Sequence, residues 1–140
     1  MAKQTIKLKK YVDIINEAIA AEELLPGMLS VINGTGSAIK SPVPADGMNY
    51  PIAVVLEDEL QGKTVSDAIE SNAPVQLWMP VPGEEASLLL TNGEVVAIGD
   101  SVSAGAGGLI VKTVAPKLAC GIALENVTAT GDQLIKVRFI

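Results

Sequence analysis

The chain contains no histidine and only one cysteine. Without histidine it lacks the side chain that most often serves as general base or metal ligand near neutral pH, and with it most nucleophilic triads. The lone thiol, Cys120, cannot form an internal disulfide, so a reducing cytoplasm is the expected place of synthesis. It sits in the apolar run LACGIAL, which suits a buried small hydrophobe; a reactive thiol requires electropositive, partly exposed surroundings. Aromatics are scarce: one Phe, one Trp and two Tyr, against an apolar fraction of 49%. No apolar run approaches the ~20 residues that span a bilayer. No signal-peptide pattern follows the basic start MAKQTIKLKK, so neither membrane insertion nor export is expected.

What the chain has in quantity is acid, unevenly placed. The 140 residues carry a net charge of −6, yet Lys3, Lys7, Lys9 and Lys10 all fall in the first ten positions, which hold no acid. The body therefore keeps 6 basic side chains against all 16 acidic ones, a balance that repels nucleic acid. Within the basic start, TIKLK alternates apolar and polar residues with the period of a strand. Residues 1–10 are therefore expected to form an extended basic arm, either solvated or adding a strand to a neighbour's sheet edge. In the second case Ile6 and Leu8 pack into that neighbour while Lys3, Lys7, Lys9 and Lys10 pair with its carboxylates.

Residues 11–140 are expected to fold as a single domain. In YVDIINEAIAAEELLPG, Ile15, Ile19 and Glu22 recur at helical spacing, Asp13 can cap, and Pro26-Gly27 ends the run, which predicts one short helix. Everything beyond it is β-like: short runs rich in Val, Ile and Leu, divided by turn pairs such as Asn33-Gly34, Asn92-Gly93 and Gly107-Gly108. Strands are expected over 28–32, 37–40, 52–56, 74–79, 87–91, 94–98, 109–113, 120–124 and 133–140, with the 87–91 and 94–98 pair forming an Asn-Gly hairpin. About nine short strands at this spacing favour a sandwich, jelly roll or barrel.

The stretch GDSVSAGAGGLIVK, 99–112, has the glycine density of a phosphate cradle. A phosphate loop places its glycines between a strand and a helix and follows them with Lys-Ser or Lys-Thr, whereas here the β-like LIVKTV follows. Turn glycines are the expectation. The stretch also matches PGMLSVINGTGSAIK, with Gly27 on Gly99 and Gly36 on Gly108; AVVLED matches GIALEN, and VQLWM resembles IKVRF. This suggests a duplication of about 26–80 and 98–140, with the shared turn chemistry of β sequences as the competing explanation.

No convergent catalytic pair stands out, so no enzyme activity, metal or cofactor is expected. Glu57, Asp58, Glu59, Glu84 and Glu85 are the densest acids and read as solvated turn residues. Trp78, in VQLWMP between prolines, fits either a core filler or an interface anchor, and Tyr50, in the Pro-rich SPVPADGMNYP, is a second interface candidate. The rhythm of GEVVAIGDSVSAG is that of biotinyl and lipoyl carrier domains. Lys112 in IVKTV and Lys117 in APKLA lack the context of a modified lysine, which leaves a carrier or small-ligand-binding β domain as the alternative function.

Taken in order, EELLPGML, AVVLEDELQGKTVSDAI, VQLWMP, VAIGDSVSAGAGGLIVK, CGIALENV and the terminal IKVRFI resemble the head decoration, or cement, proteins of tailed bacteriophages. The likeness runs from about residue 23 to 140 and leaves the basic arm uncovered. It implies a jelly-roll-like β-sandwich on the outer capsid surface that clamps neighbouring major capsid subunits in the DNA-filled head. The partner so implied is the major capsid protein; exposed β edges further suggest association with other copies of the chain, a dimer being slightly favoured over a trimer.

Overall fold

The computed structural model describes residues 5–45, 47 and 53–140. Thirteen strands follow in chain order: β1 (Lys7–Lys9), β2 (Ile15–Ile19), β3 (Leu29–Ile32), β4 (Ala38–Lys40), β5 (Ala53–Val55), β6 (Pro74–Trp78), β7 (Glu85–Leu90), β8 (Val95–Val96), β9 (Ser101–Ala104), β10 (Ile110–Lys112), β11 (Gly121–Ala123), β12 (Val127–Thr128) and β13 (Gln133–Phe139). The chain is all-β, as its turn-punctuated apolar runs predict. The helix expected after residue 11 is a strand instead: Ile15, Glu17 and Ile19 also fit a period of two, and β2 pairs with β6 along its whole length, from Ile15↔Trp78 to Ile19↔Pro74. Tertiary pairing overrides an ambiguous local period. Helical geometry among the described residues is limited to two single 3-10 turns, Glu59–Gln61 and Ala106–Gly108.

Ten of these strands close into two rings, five in each. The first runs β2-β6-β5-β3-β4 and returns to its start through a parallel bridge from Ala20 to Ala38. The second runs β7-β10-β9-β11-β13 and closes through the β13–β7 pairing. Alternate side chains fill each ring. Ala38, Ala53, Val55, Val75 and Leu77 pack in the first, and Leu88, Leu90, Val102, Ile110, Ile135 and Val137 in the second. The Asn-Gly hairpin expected at 87–98 is not formed, because β8 turns away to pair with β12 and β7 takes β13 as its antiparallel partner.

The two rings share one pairing scheme. In β3–β4 the partners are Ser30↔Lys40, Val31↔Ile39 and Ile32↔Ala38; in β9–β10 they are Val102↔Lys112, Ser103↔Val111 and Ala104↔Ile110, every residue displaced by 72 positions (102 − 30, 112 − 40). Val54↔Trp78 and Val55↔Leu77 correspond likewise to Ile122↔Arg138 and Ala123↔Val137. The parallel contact Ala20↔Ala38 corresponds to Leu90↔Ile110. Even the turn bonds agree: the Gly27 amide donates to Val55 O, and the Gly99 amide to Ala123 O, both at 2.9 Å.

The glycine-rich stretch joins β9 to β10 and meets the first ring. The Gly108 amide donates to Ser41 O at 3.2 Å, and a Cβ on Gly108 would stand 2.7 Å from Leu29 O. With φ at +77°, this position requires glycine for both conformation and space, so the stretch is a packed turn between rings.

Candidate functional site

The basic N-terminal segment was expected to leave the body. In the structure its described part, from residue 5 onward, completes the body's own sheet. Ile6 is fully buried in the core shared by the second ring, Leu29, Val54, Leu56 and Trp78. Strand β1 lies antiparallel to β7, with Lys7 opposite Ala86 and Lys9 opposite Glu85, and the Ser87 amide donates to Ile6 O at 2.9 Å. The physical reason is that the free edge of β7 lies within the same molecule, so pairing there avoids the entropy of association that a neighbour's edge would require. An irregularity between Lys7 and Lys9 breaks the alternation, which is why Leu8 does not follow Ile6 inward and stays half-exposed. Lys3 and Tyr50 lie outside the described residues.

Four acids hold this segment: Glu57, Glu84 and Glu85, which are buried although their sequence context suits solvated turns, and Asp13, which pairs with lysines instead of capping a helix. Glu57 accepts from Thr5 Oγ1 at 3.0 Å and from the Ile6 amide at 3.2 Å. Glu84, fully buried, accepts from the amides of Tyr11 (2.6 Å), Val12 (3.1 Å) and Val81 (2.7 Å). Glu85 faces three cations, Lys9 at 3.6 Å, Lys136 at 3.4 Å and Arg138 at 3.2 Å. Burial alone would raise its carboxyl pKa; the bond from Arg138, reinforced by Lys9 and Lys136, outweighs that and holds it below the ordinary range. Asp13 is lowered likewise by its bonds with Lys10 and then Lys7. The expected pairing of Lys7, Lys9 and Lys10 with carboxylates therefore occurs inside the molecule. The signal available in sequence was the attachment of Glu57, Glu84 and Glu85 to apolar strand ends, where buried acids find amide donors.

Trp78 is no surface anchor. It is fully buried and meets Phe139 edge-on, with ring centroids 6.3 Å apart at 86°, so it joins the two rings from within. Cys120 is partly enclosed, and burial pushes its thiol up to about 11, in keeping with the unreactive reading.

One uncovered apolar surface lies around β2. Tyr11, Val12, Ile14, Ile15 and Ile19 form a run of exposed apolar residues, of which the helical reading named Ile15 and Ile19 as one face. Beside them is a cleft of about 410 Å³ whose lining includes Glu17, Glu57, Asp58 and Glu70 and a single cation, Lys63. Among the described residues no group of three or more His, Cys, Asp or Glu is placed to hold a metal ion, and no helix is long and apolar enough to cross a membrane.

No protein-family model matches the chain, and no curated protein matches it. The fold does have a relative of known structure. The chain is similar to the N base of the head fiber gp8.5 in bacteriophage phi29, with a TM-score of 0.60 over 92% of this chain and 95% of that one. At 14% identity the likeness shows a common fold. It takes in almost the full length of both chains, and therefore both rings together.

Proposed function

We propose that the protein is a structural component of a phage virion, seated on the outer surface of the head. The observation that carries this reading is the fold shared along nearly the full length of both chains with the base of a phage head fiber. A base of this kind acts by shape and surface, without catalysis or cofactor, and its partners are the major capsid protein and further copies of itself. On a closed shell many copies act together, so modest individual contacts suffice to brace neighbouring capsid subunits against packaged DNA. Because residues 6–9 are bound within the body, the shell contact falls elsewhere, and the exposed aliphatic run at 11–19 is the surface best suited to it.

The reading is tested by mixing purified protein with DNA-filled heads that lack it, then measuring co-sedimentation, density on the shell by electron microscopy, and survival of the heads on heating. Saturable occupancy at fixed shell positions, with heads that release DNA at a higher temperature, is expected. Occupancy without added head stability would retain the virion component and remove the bracing role; no binding to heads would remove both.

A further inference from the structure

Strands β2 and β7 hold the same place in the two rings: Ile15↔Trp78 and Ala18↔Val75 in one correspond to Glu85↔Arg138 and Leu88↔Ile135 in the other. On the side of β7 that faces away from β13, the amides of Ser87, Leu89 and Thr91 donate to Ile6 O, Gly27 O and Ile110 O, so that edge is filled along its length. The corresponding amides of β2 and its end are those of Glu17, Ile19 and Ala21. Ala21 donates to Ala38 O at 2.9 Å, as Thr91 does to Ile110 O, while among the described residues no backbone acceptor meets Glu17 or Ile19 from that side. Among the described residues, the place that β1 and Gly27 take beside β7 is thus open beside β2. It is bordered by Ile14, Ile15 and Ile19, which are 44%, 39% and 47% exposed.

We infer that the open edge of β2 receives an antiparallel strand from another polypeptide, one that sets a basic side chain opposite Glu17 and aliphatic side chains opposite Ile15 and Ile19. This deepens the virion reading, on which the location of the partner rests, by naming the contact surface and the partner's chemistry. The filled edge of β7 shows the geometry within the same chain: an extended, basic and aliphatic segment in antiparallel register, with Lys9 beside Glu85. Glu17, at the centre of the strand, selects the same chemistry, and the cleft on its β6 side, lined by Glu57, Asp58 and Glu70 against Lys63, adds negative charge close by. A second copy of β2 fits less well. A two-fold axis centred on Glu17, the middle of the exposed stretch, would set two carboxylates directly opposite each other.

The test is a titration of the isotope-labelled full chain, followed by amide NMR, with the capped peptide Thr-Ile-Thr-Lys-Thr-Ile-Thr and with the same peptide carrying Glu in place of Lys. Saturable shifts and slowed hydrogen exchange centred on the Glu17 and Ile19 amides are expected, with the lysine peptide binding about fivefold more tightly than the glutamate peptide. In a Glu17→Lys variant the preference reverses. Four outcomes would overturn the inference: no localised shift at millimolar peptide, shifts elsewhere only, equal affinity for the two peptides, or concentration-dependent pairing of the chain with itself through the same amides. Peptide binding without binding to heads leaves the edge site standing and removes the capsid reading. Binding to heads that is indifferent to Glu17→Lys does the reverse.

Discussion

The two rings repeat one pairing scheme and differ in what lies against their first strands. All six residues of β7 are buried, a glutamate among them, whereas four of the five residues of β2 are exposed, two isoleucines among them. Residue type alone would have ordered these strands the other way. Neighbouring chain decides: β7 is flanked by β13, β1 and the Gly27 turn, while among the described residues β2 has only β6 along its length. A closed ring therefore does not by itself bury its outer face. A segment from elsewhere must cover it, and among the described residues one such segment, β1, serves two rings.

The sharpest way to break that comparison is to take the covering segment away. Deleting residues 1–10 exposes the side of β7, forfeits the burial of Ile6, worth ~1.5–3 kcal/mol, and leaves Glu57 without its Thr5 and Ile6 donors in a desolvated setting, at ~1–3 kcal/mol, while Glu85 loses Lys9 and keeps Lys136 and Arg138. A loss on the order of 5 kcal/mol is expected in urea unfolding, comparable to the whole stability of many domains. By contrast, Glu17→Lys on the uncovered strand should shift stability by less than ~0.5 kcal/mol. Equal, small effects of the two changes would mean that β1 is not part of the fold.

Equivalent positions sharpen it next. Trp78 and Arg138 occupy the same site in the two schemes, yet Trp78 fills the space between the rings while Arg138 has a half-exposed side chain. Trp78→Ala should cost ~3–5 kcal/mol, and Arg138→Ala under ~1 kcal/mol, both read from denaturant midpoints. A smaller contrast comes from Gly36 and Gly108, with φ of +82° and +77°. A Cβ at Gly36 meets nothing within 4 Å, and one at Gly108 meets Leu29 O. Gly36→Ala should cost ~1–2 kcal/mol for conformation alone, and Gly108→Ala ~1–3 kcal/mol more for the clash between rings.

Much of this was legible in sequence, for reasons that also mark where legibility ends. Strands such as β3, β4, β10 and β13 carry Val, Ile or Leu shortly after a turn glycine, a local signature that survives any tertiary setting. The matched glycines, Gly27 with Gly99 and Gly36 with Gly108, take matching positive φ in the two rings because each ends a corresponding strand turn. The run at 15–19 was ambiguous because two isoleucines four apart satisfy both a helix and a strand, and only the availability of β6 resolves the choice. The destination of TIKLK was not local at all. Its pattern specifies a strand with a basic face, but whether the receiving edge lies in this molecule or another depends on how Glu57, Glu84 and Glu85 are placed by distant parts of the chain.

The smallest effect concerns the ion cluster that fastens β1 to β7. Glu85 has a folded-state pKa below its ordinary value of 4.5 because the stabilising bonds from Arg138, Lys9 and Lys136 outweigh the burial that acts against them. A carboxyl depressed on folding contributes stability that is fully present above its unfolded pKa and is lost as pH falls from there through the lower folded value. Stability measured from pH 7 downward should therefore stay level until near pH 5 and then decline, with Glu85 supplying part of the slope. Glu85→Gln should flatten that acid limb while lowering stability at neutral pH, and Asp13→Asn should flatten it less, because Asp13 is considerably more exposed than Glu85. An acid limb unchanged by Glu85→Gln would place the fastening of β1 in its hydrogen bonds and Ile6 alone, and would reduce the contrast between the two ring edges to one of apolar burial.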